Sequence, residues 1–311
     1  MMTRSAYALE RVAGRIVGRR RELELVLAAL DAGRHVLIEG PPGTGKSTLL
    51  RAVADELGVG FEFVEGNAEL TPARLVGHFD PARVLAEGYD PDVFVDGPLV
   101  TALRDGALLY VEELNRVPEE TLNVLITVMS ERELHVHRLG RLAAARGFRL
   151  VAAMNPFDAV GTARISSAVY DRVCRLSVDY QSSEEEADIV TRAVGEVDPA
   201  WVQKVVELVR RTRTHPDLRV GSSVRGALDA TAVVASLSAL RGRPATSADV
   251  GLDAVLVALS GRVRLREGCT RTAEEIITEL WFEVFGAGPP DGDGDGGAAG
   301  KARAPTGASP S

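Results

Sequence analysis

The sequence predicts an α/β chain: a three-layer sandwich around a parallel five-stranded sheet, followed by a small all-helical domain. Three observations carry that prediction. Apolar runs of strand length alternate with helical periodicity between residues 22 and 180, a glycine-rich turn joins the first strand to the next helix, and the strand pattern vanishes beyond residue 183. With 311 residues, 45% of them hydrophobic, the chain can bury a sizeable core and is expected to hold two packed units rather than one.

Each element follows from local pattern. Residues 22–30 carry Leu23, Val26, Leu27 and Leu30 at helical spacing, and 35–39 (HVLIE) reads as a short buried strand. Residues 47–57 are helical again and stop at Gly58, after which 61–64, 107–111, 148–154 and 175–178 supply four more strands. Two insertions break the rhythm. Residues 71–97 are rich in Gly, Pro and Asp with no room for a long helix, and 133–142 reads as a β-hairpin turning near Gly140. Helical periodicity then runs through 184–194, 200–212, 224–240, 247–259 and 273–285. The division expected is a core over 1–183, a helical domain over 184–285, and a Gly/Pro-rich disordered tail over 286–311. The tail's Asp291, Asp293 and Asp295 resemble half a calcium loop but lack its closing glutamate, so they read as solvated linker.

Composition narrows the function classes. No stretch approaches the roughly 18 apolar residues of a membrane span, and Met1 to Ser5 lead into no apolar run, so neither span nor signal peptide is expected. Two cysteines far apart in sequence, Cys174 and Cys269, exclude a disulfide framework and a cysteine zinc site; they are expected as buried thiols in a reducing cytoplasm. A net charge of −8 argues against non-specific attraction to nucleic acid, although Arg19, Arg20 and Arg21 could form a local basic patch.

The chemistry begins at Gly40-Pro41-Pro42-Gly43-Thr44-Gly45-Lys46-Ser47, a complete G-x-x-x-x-G-K-[ST] phosphate loop entered by a strand and left by a helix. Its glycines let backbone N–H groups and the helix N-terminus face phosphates, Lys46 adds a point charge, and Ser47 offers its hydroxyl to magnesium, with Thr48 following. The apolar strand ending in Glu112 and Glu113 puts two acids at the carboxyl edge of the sheet beside that loop. Glu112 is expected to hold Mg2+ and Glu113 to orient or deprotonate an attacking water, which makes the chain a candidate ATPase. His135 and His137, two apart on the hairpin, share a face and could ligate a metal, but no third ligand is apparent and a solvent-facing pair is the preferred reading.

Taken in order, these motifs resemble an AAA+ P-loop NTPase, more narrowly the MoxR family related to the magnesium-chelatase ATPase subunit, over about residues 10 to 285. Val17 and Gly18, within Ile16 to Arg19, resemble the family's entry segment beside adenine. Glu112 to Arg116 resembles its D-E-[IFL]-N-R run, with Glu in place of the usual Asp. Asn155 falls on the segment resembling sensor 1, Arg172 on the arginine finger, with Arg164 and Arg175 as alternatives, and Arg225 on the start of the sensor 2 helix. The resemblance implies ATP and Mg2+ as ligands, a hexameric homo-oligomeric ring, and chaperone-like remodelling of a protein client, frequently one with a von Willebrand factor A domain. Glu112 also admits a slow ATP-binding switch. A DNA-acting motor uses the same core, against the acidic balance and with no recognisable DNA-binding appendix.

Overall fold

The computed structural model describes residues 4–156, 165–195 and 197–286. Its centre is a parallel sheet of five strands: β1 (His35–Glu39), β2 (Phe61–Glu65), β3 (Leu108–Glu112), β4 (Arg149–Met154) and β5 (Val173–Ser177), in the spatial order β2-β3-β4-β1-β5. The strands are nearly continuous apolar runs because the middle of the sheet is covered on both faces. Leu37, Leu109, Val111, Leu150 and Ala152 enter one core with α4 (Pro98–Asp105) and α5 (Glu119–Glu131). Their alternating neighbours Val36, Ile38, Leu108, Tyr110 and Val151 enter a second core with α1 (Arg4–Ala13), α2 (Arg20–Asp31) and α3 (Lys46–Leu57). The period of two along each strand thus builds both outer layers.

β5 is an edge, and this corrects one expectation. Cys174 is exposed there and Cys269 is half-buried, so neither thiol belongs to a core. The run around Cys174 reads as apolar, but among the described residues no further strand flanks it on the outer side.

The insertion at 71–97 folds into the short helices Pro72–Val76 and Pro81–Glu87 and the antiparallel ribbon of Gly77–Phe79 with Phe94–Asp96. The hairpin pairs Glu133–Val136 with Gly140–Ala143. Its turn holds Arg138 at φ 66°, and that guanidinium lies 3.6 Å over the ring of Tyr89, which is edge-on to Phe79. The two insertions therefore touch. His135 lies on the first strand of the hairpin and His137 in the turn beyond its end, so the two histidines do not share a strand face. Among the described residues no group of three or more His, Cys, Asp or Glu could hold a metal.

Beyond the sheet come α6 (Ser183–Val194), α7 (Pro199–Thr214), α8 (Val224–Arg241), α9 (Ala248–Leu259) and α10 (Ala273–Phe285). They bury a cluster of their own that includes Trp201, Val205, Ala230, Leu259 and Trp281. Capping boxes, Ser182 with Glu185 and Thr272 with Glu275, start α6 and α10 by satisfying otherwise orphaned backbone N–H groups. A two-stranded antiparallel ribbon, Leu218–Val220 with Arg264–Leu265, sits among these helices. Two pieces this short carry no period that a sequence reading could detect. No helix among the described residues is long and apolar enough to cross a membrane. The tail expected over 286–311 falls outside the described residues beyond Gly286.

Candidate functional site

The phosphate loop leaves the end of β1 with Gly43 at φ 76° and Gly45 at φ 81°, left-handed values that side chains rarely adopt. Gly45 is also the N-cap of α3, so the loop delivers the chain directly into a helix whose first N–H groups stay free for an anion. Lys46 Nζ donates to the carbonyls of Gly40 (2.9 Å) and Pro41 (2.8 Å), and Thr44 Oγ1 donates to Pro41 O (3.0 Å). The ammonium is thus held over the loop. Burial pushes its pKa down, Glu112 and Glu113 push it back up, and Arg225 and Arg19 lower it further.

Strand periodicity explains what faces the loop. Tyr110 and Glu112 lie two apart on β3 and meet the start of α3, where Ser47 Oγ donates to Glu112 Oε1 over 2.8 Å and lies 3.2 Å from the Tyr110 hydroxyl. The extra methylene of Glu112 therefore does not carry its carboxylate out of reach. Tyr110 is a site residue that sequence reasoning missed. Its phenol is fully buried, and burial, with Glu112 and Glu113 adding, pushes its pKa up, so it stays a neutral hydrogen-bonding group. Glu113 has φ 53°, a left-handed value costly for a non-glycine and typical of functional positions. This backbone turns its carboxylate into the same pocket, where Arg116 Nε lies 3.3 Å from Oε2.

A cavity of about 100 Å3 is lined by Pro42 to Thr48, Glu112, Glu113, Asn155 and Arg225. A second, of about 330 Å3, adjoins it through Gly43, Gly45, Thr48 and Arg225 and is walled by Val17, Ile189 and Leu228 among others. Together they form a cleft with a charged inner end and an apolar outer end, floored by the sheet edge and roofed by α6 and α8. The oxygen pair Ser47–Glu112 is the hard donor set that a magnesium ion takes, and the lysine and glycine N–H groups suit phosphates.

Other expected residues fall around this cleft rather than in it. Gly18, at φ 68°, packs so closely under the Glu185 carboxylate that a Cβ would overlap it; it shapes the turn while Val17 lines the cleft. Gly40 and Pro41 contribute carbonyls to Lys46. Arg172 lies outside the cleft of its own chain, donating to Ser130 Oγ (2.5 Å) and Ala168 O (2.8 Å). Arg175 is engaged by Glu39, a carboxylate only 2% exposed that also accepts from the Tyr170 hydroxyl (2.9 Å). Arg164 lies outside the described residues. Sequence reasoning passed over Arg19 as a site residue. It is 6% exposed and donates to Thr44 O (3.1 Å) and Gln181 Oε1 (3.0 Å), stapling the phosphate loop to the segment that leads into α6.

Residues 35–173 match the family model of the AAA domain, dynein-related subfamily. Over this segment the chain resembles an AAA domain. The chain is 30% identical over 211 residues to the gas vesicle ATPase GvpN of Haloferax mediterranei, covering 62% of this chain and 60% of that relative's length. It is 29% identical over 249 residues to the uncharacterized protein YeaC of Bacillus subtilis, covering 71% of this chain and 74% of the relative. The chain superposes on the Holliday junction branch migration motor RuvB of Thermotoga maritima with a TM-score of 0.53. That match has 20% identity and covers 78% of this chain and 70% of that one, which establishes a shared fold.

Proposed function

We propose that this chain hydrolyses ATP, divides into a core over 1–183 and a lid over 184–285, and assembles into a ring of six copies that remodels a partner protein in the manner of the MoxR family. The observation that carries the reading is the Ser47–Glu112 hydrogen bond of 2.8 Å, within a pocket that also gathers Lys46, Glu113, Asn155 and Arg225.

Val17, Ile189 and Leu228 would enclose the base in the apolar outer cavity, and the loop N–H groups with Lys46 would bind the phosphates. Ser47 and Glu112 would hold magnesium, whose charge, when bound, offsets that of the phosphates. Glu113, turned inward by its left-handed backbone, accepts the proton of the attacking water, and Asn155 orients that water or the terminal phosphate. Arg225 contacts the phosphates from the lid. Arg172, outside its own cleft, serves the neighbour's cleft as the finger that stabilises developing charge. A client with a von Willebrand factor A domain is the partner class proposed, and the cytoplasm the compartment.

The reach of Glu112 to Ser47 favours turnover over a slow binding switch, and the net charge of −8 disfavours a DNA motor. The test is ATP turnover per subunit against protein concentration. A finger supplied in trans makes the specific rate climb steeply as subunits associate, and Arg172→Ala abolishes the climb. Full activity in dilute monomer would sink the ring.

A further inference from the structure

Glu186, in the first turn of α6, is 1% exposed and lines neither cavity of the cleft. It sits in a circuit of polar contacts that begins and ends on the phosphate loop. Arg19 donates to Thr44 O (3.1 Å) and to Gln181 Oε1 (3.0 Å). Arg210 on α7 donates to Gln181 O (2.9 Å) and to Glu186 Oε2 (3.2 Å). Glu186 Oε1 lies 2.8 Å from Arg213 Nη2, and Arg213 Nε donates to Ser222 O (2.8 Å). Ser222 immediately precedes Ser223, whose side chain packs against Gly43 so tightly that a Cβ on that glycine would overlap it. Ser223 is the residue just before α8, whose second residue is Arg225.

Bringing charges into a packed interior is costly, and an apolar pair would hold α6 to α7 with less penalty. What the ion pair adds is an anchor for a rigid plane. Arg213 Nη2 lies against the Glu186 carboxylate as a charge contact without hydrogen-bond geometry, while Nε of the same planar guanidinium donates to Ser222 O and so sets the backbone just before α8 relative to α6. The face of Tyr180, 3.9 Å from Arg213 Cζ, holds that plane, and Gly221 brings the backbone against Arg213, where a Cβ would collide with its N. We infer that Glu186 is a positioning residue for Arg225: through Arg213 and Ser222 it fixes the start of α8, and through Arg210, Gln181 and Arg19 it ties that placement to the phosphate loop. The inference rests on the proposed contact of Arg225 with the phosphates.

The experiment measures steady-state ATP turnover, ATP-analogue affinity and thermal unfolding of the full chain carrying Glu186→Gln or Arg213→Lys, each alone and combined with Arg225→Ala. Arg213→Lys keeps a charge for Glu186 but cannot bridge to Ser222 as well, so it stands in if Glu186→Gln fails to fold. Each single variant is expected to lower kcat about tenfold with affinity changed by no more than about twofold, and to add no further loss on the Arg225→Ala background. Losses that multiply in full with that of Arg225→Ala, or that only follow a lowered unfolding temperature, overturn the inference. Normal turnover of Glu186→Gln and Arg213→Lys while Arg225→Ala is slow overturns the positioning role alone. Full turnover of Arg225→Ala overturns the reading of Arg225 itself, and the inference with it.

Discussion

The two walls of the cleft are built in different ways. The floor is backbone and sheet: the glycine loop leaves β1, Glu112 ends β3, Asn155 follows β4, and parallel pairing fixes all three strand ends in register. The roof is side chains: α8 reaches the floor through Ser223 against Gly43 and is held from behind by Arg213, Glu186 and Arg210. A floor of ladder hydrogen bonds has little freedom to move. A roof held by a few side-chain ion pairs has no such ladder and is the wall with more freedom to shift.

That contrast can be broken or sharpened by measurement. The largest effect is expected from the floor's chemistry: Glu113→Gln keeps shape but removes the proton acceptor. ATP turnover should fall by roughly 10²- to 10⁴-fold with nucleotide affinity retained, as read by steady-state kinetics beside analogue binding. Comparable losses in both would make Glu113 a structural residue instead.

A smaller effect concerns the floor's stability. His35 opens β1, accepts from Leu150 N (2.9 Å), and is held by burial, then by Arg149 and Arg132, at a pKa of about 4 instead of 6.5. The unfolded chain takes up a proton between those values that the folded one refuses, so this stability is complete above pH 6.5 and drains away as pH falls toward 4. The loss is about 3 kcal/mol, enough to show in denaturant melts across that window. His35→Gln should flatten the dependence, and an unchanged slope would mean that other groups carry it.

The smallest effect probes the seam between the walls. Gly43→Ala meets both the left-handed φ of 76° and the Ser223 side chain. It should weaken ATP binding by about tenfold, on the order of 1 kcal/mol, and Ser223→Gly should recover part of that by relieving the contact. No recovery would leave backbone strain as the whole cause.

Legibility in the sequence follows the same division. The floor was readable because its determinants are local: the phosphate loop needs its glycines and lysine at fixed spacing, and buried parallel strands announce themselves as apolar runs, so β1 matches its expected bounds to the residue. Val17, Ser47, Glu112, Glu113, Asn155 and Arg225 all line the cleft. Tyr110 went unnoticed because a tyrosine in an apolar strand reads as core until α3 brings Ser47 to its hydroxyl. Arg19 reads in the sequence as part of an exposed basic patch and Glu186 as part of a solvated helix face, and only packing between elements buries them.

The sequence by itself determined the strand–loop–helix order, the nucleotide-type loop and the acids beside it, since each depends on residues within a few positions of one another. The tertiary structure alone decided that Cys174 faces outward on an edge strand, that Arg175 is engaged by Glu39 while Arg172 turns away from its own cleft, and that Arg19 and Arg213 close a circuit back to the loop. The physical reason is range. Propensity and periodicity act along the chain over one or two turns, whereas burial and ion pairing join residues more than a hundred positions apart, and nothing in either partner's neighbourhood names the other.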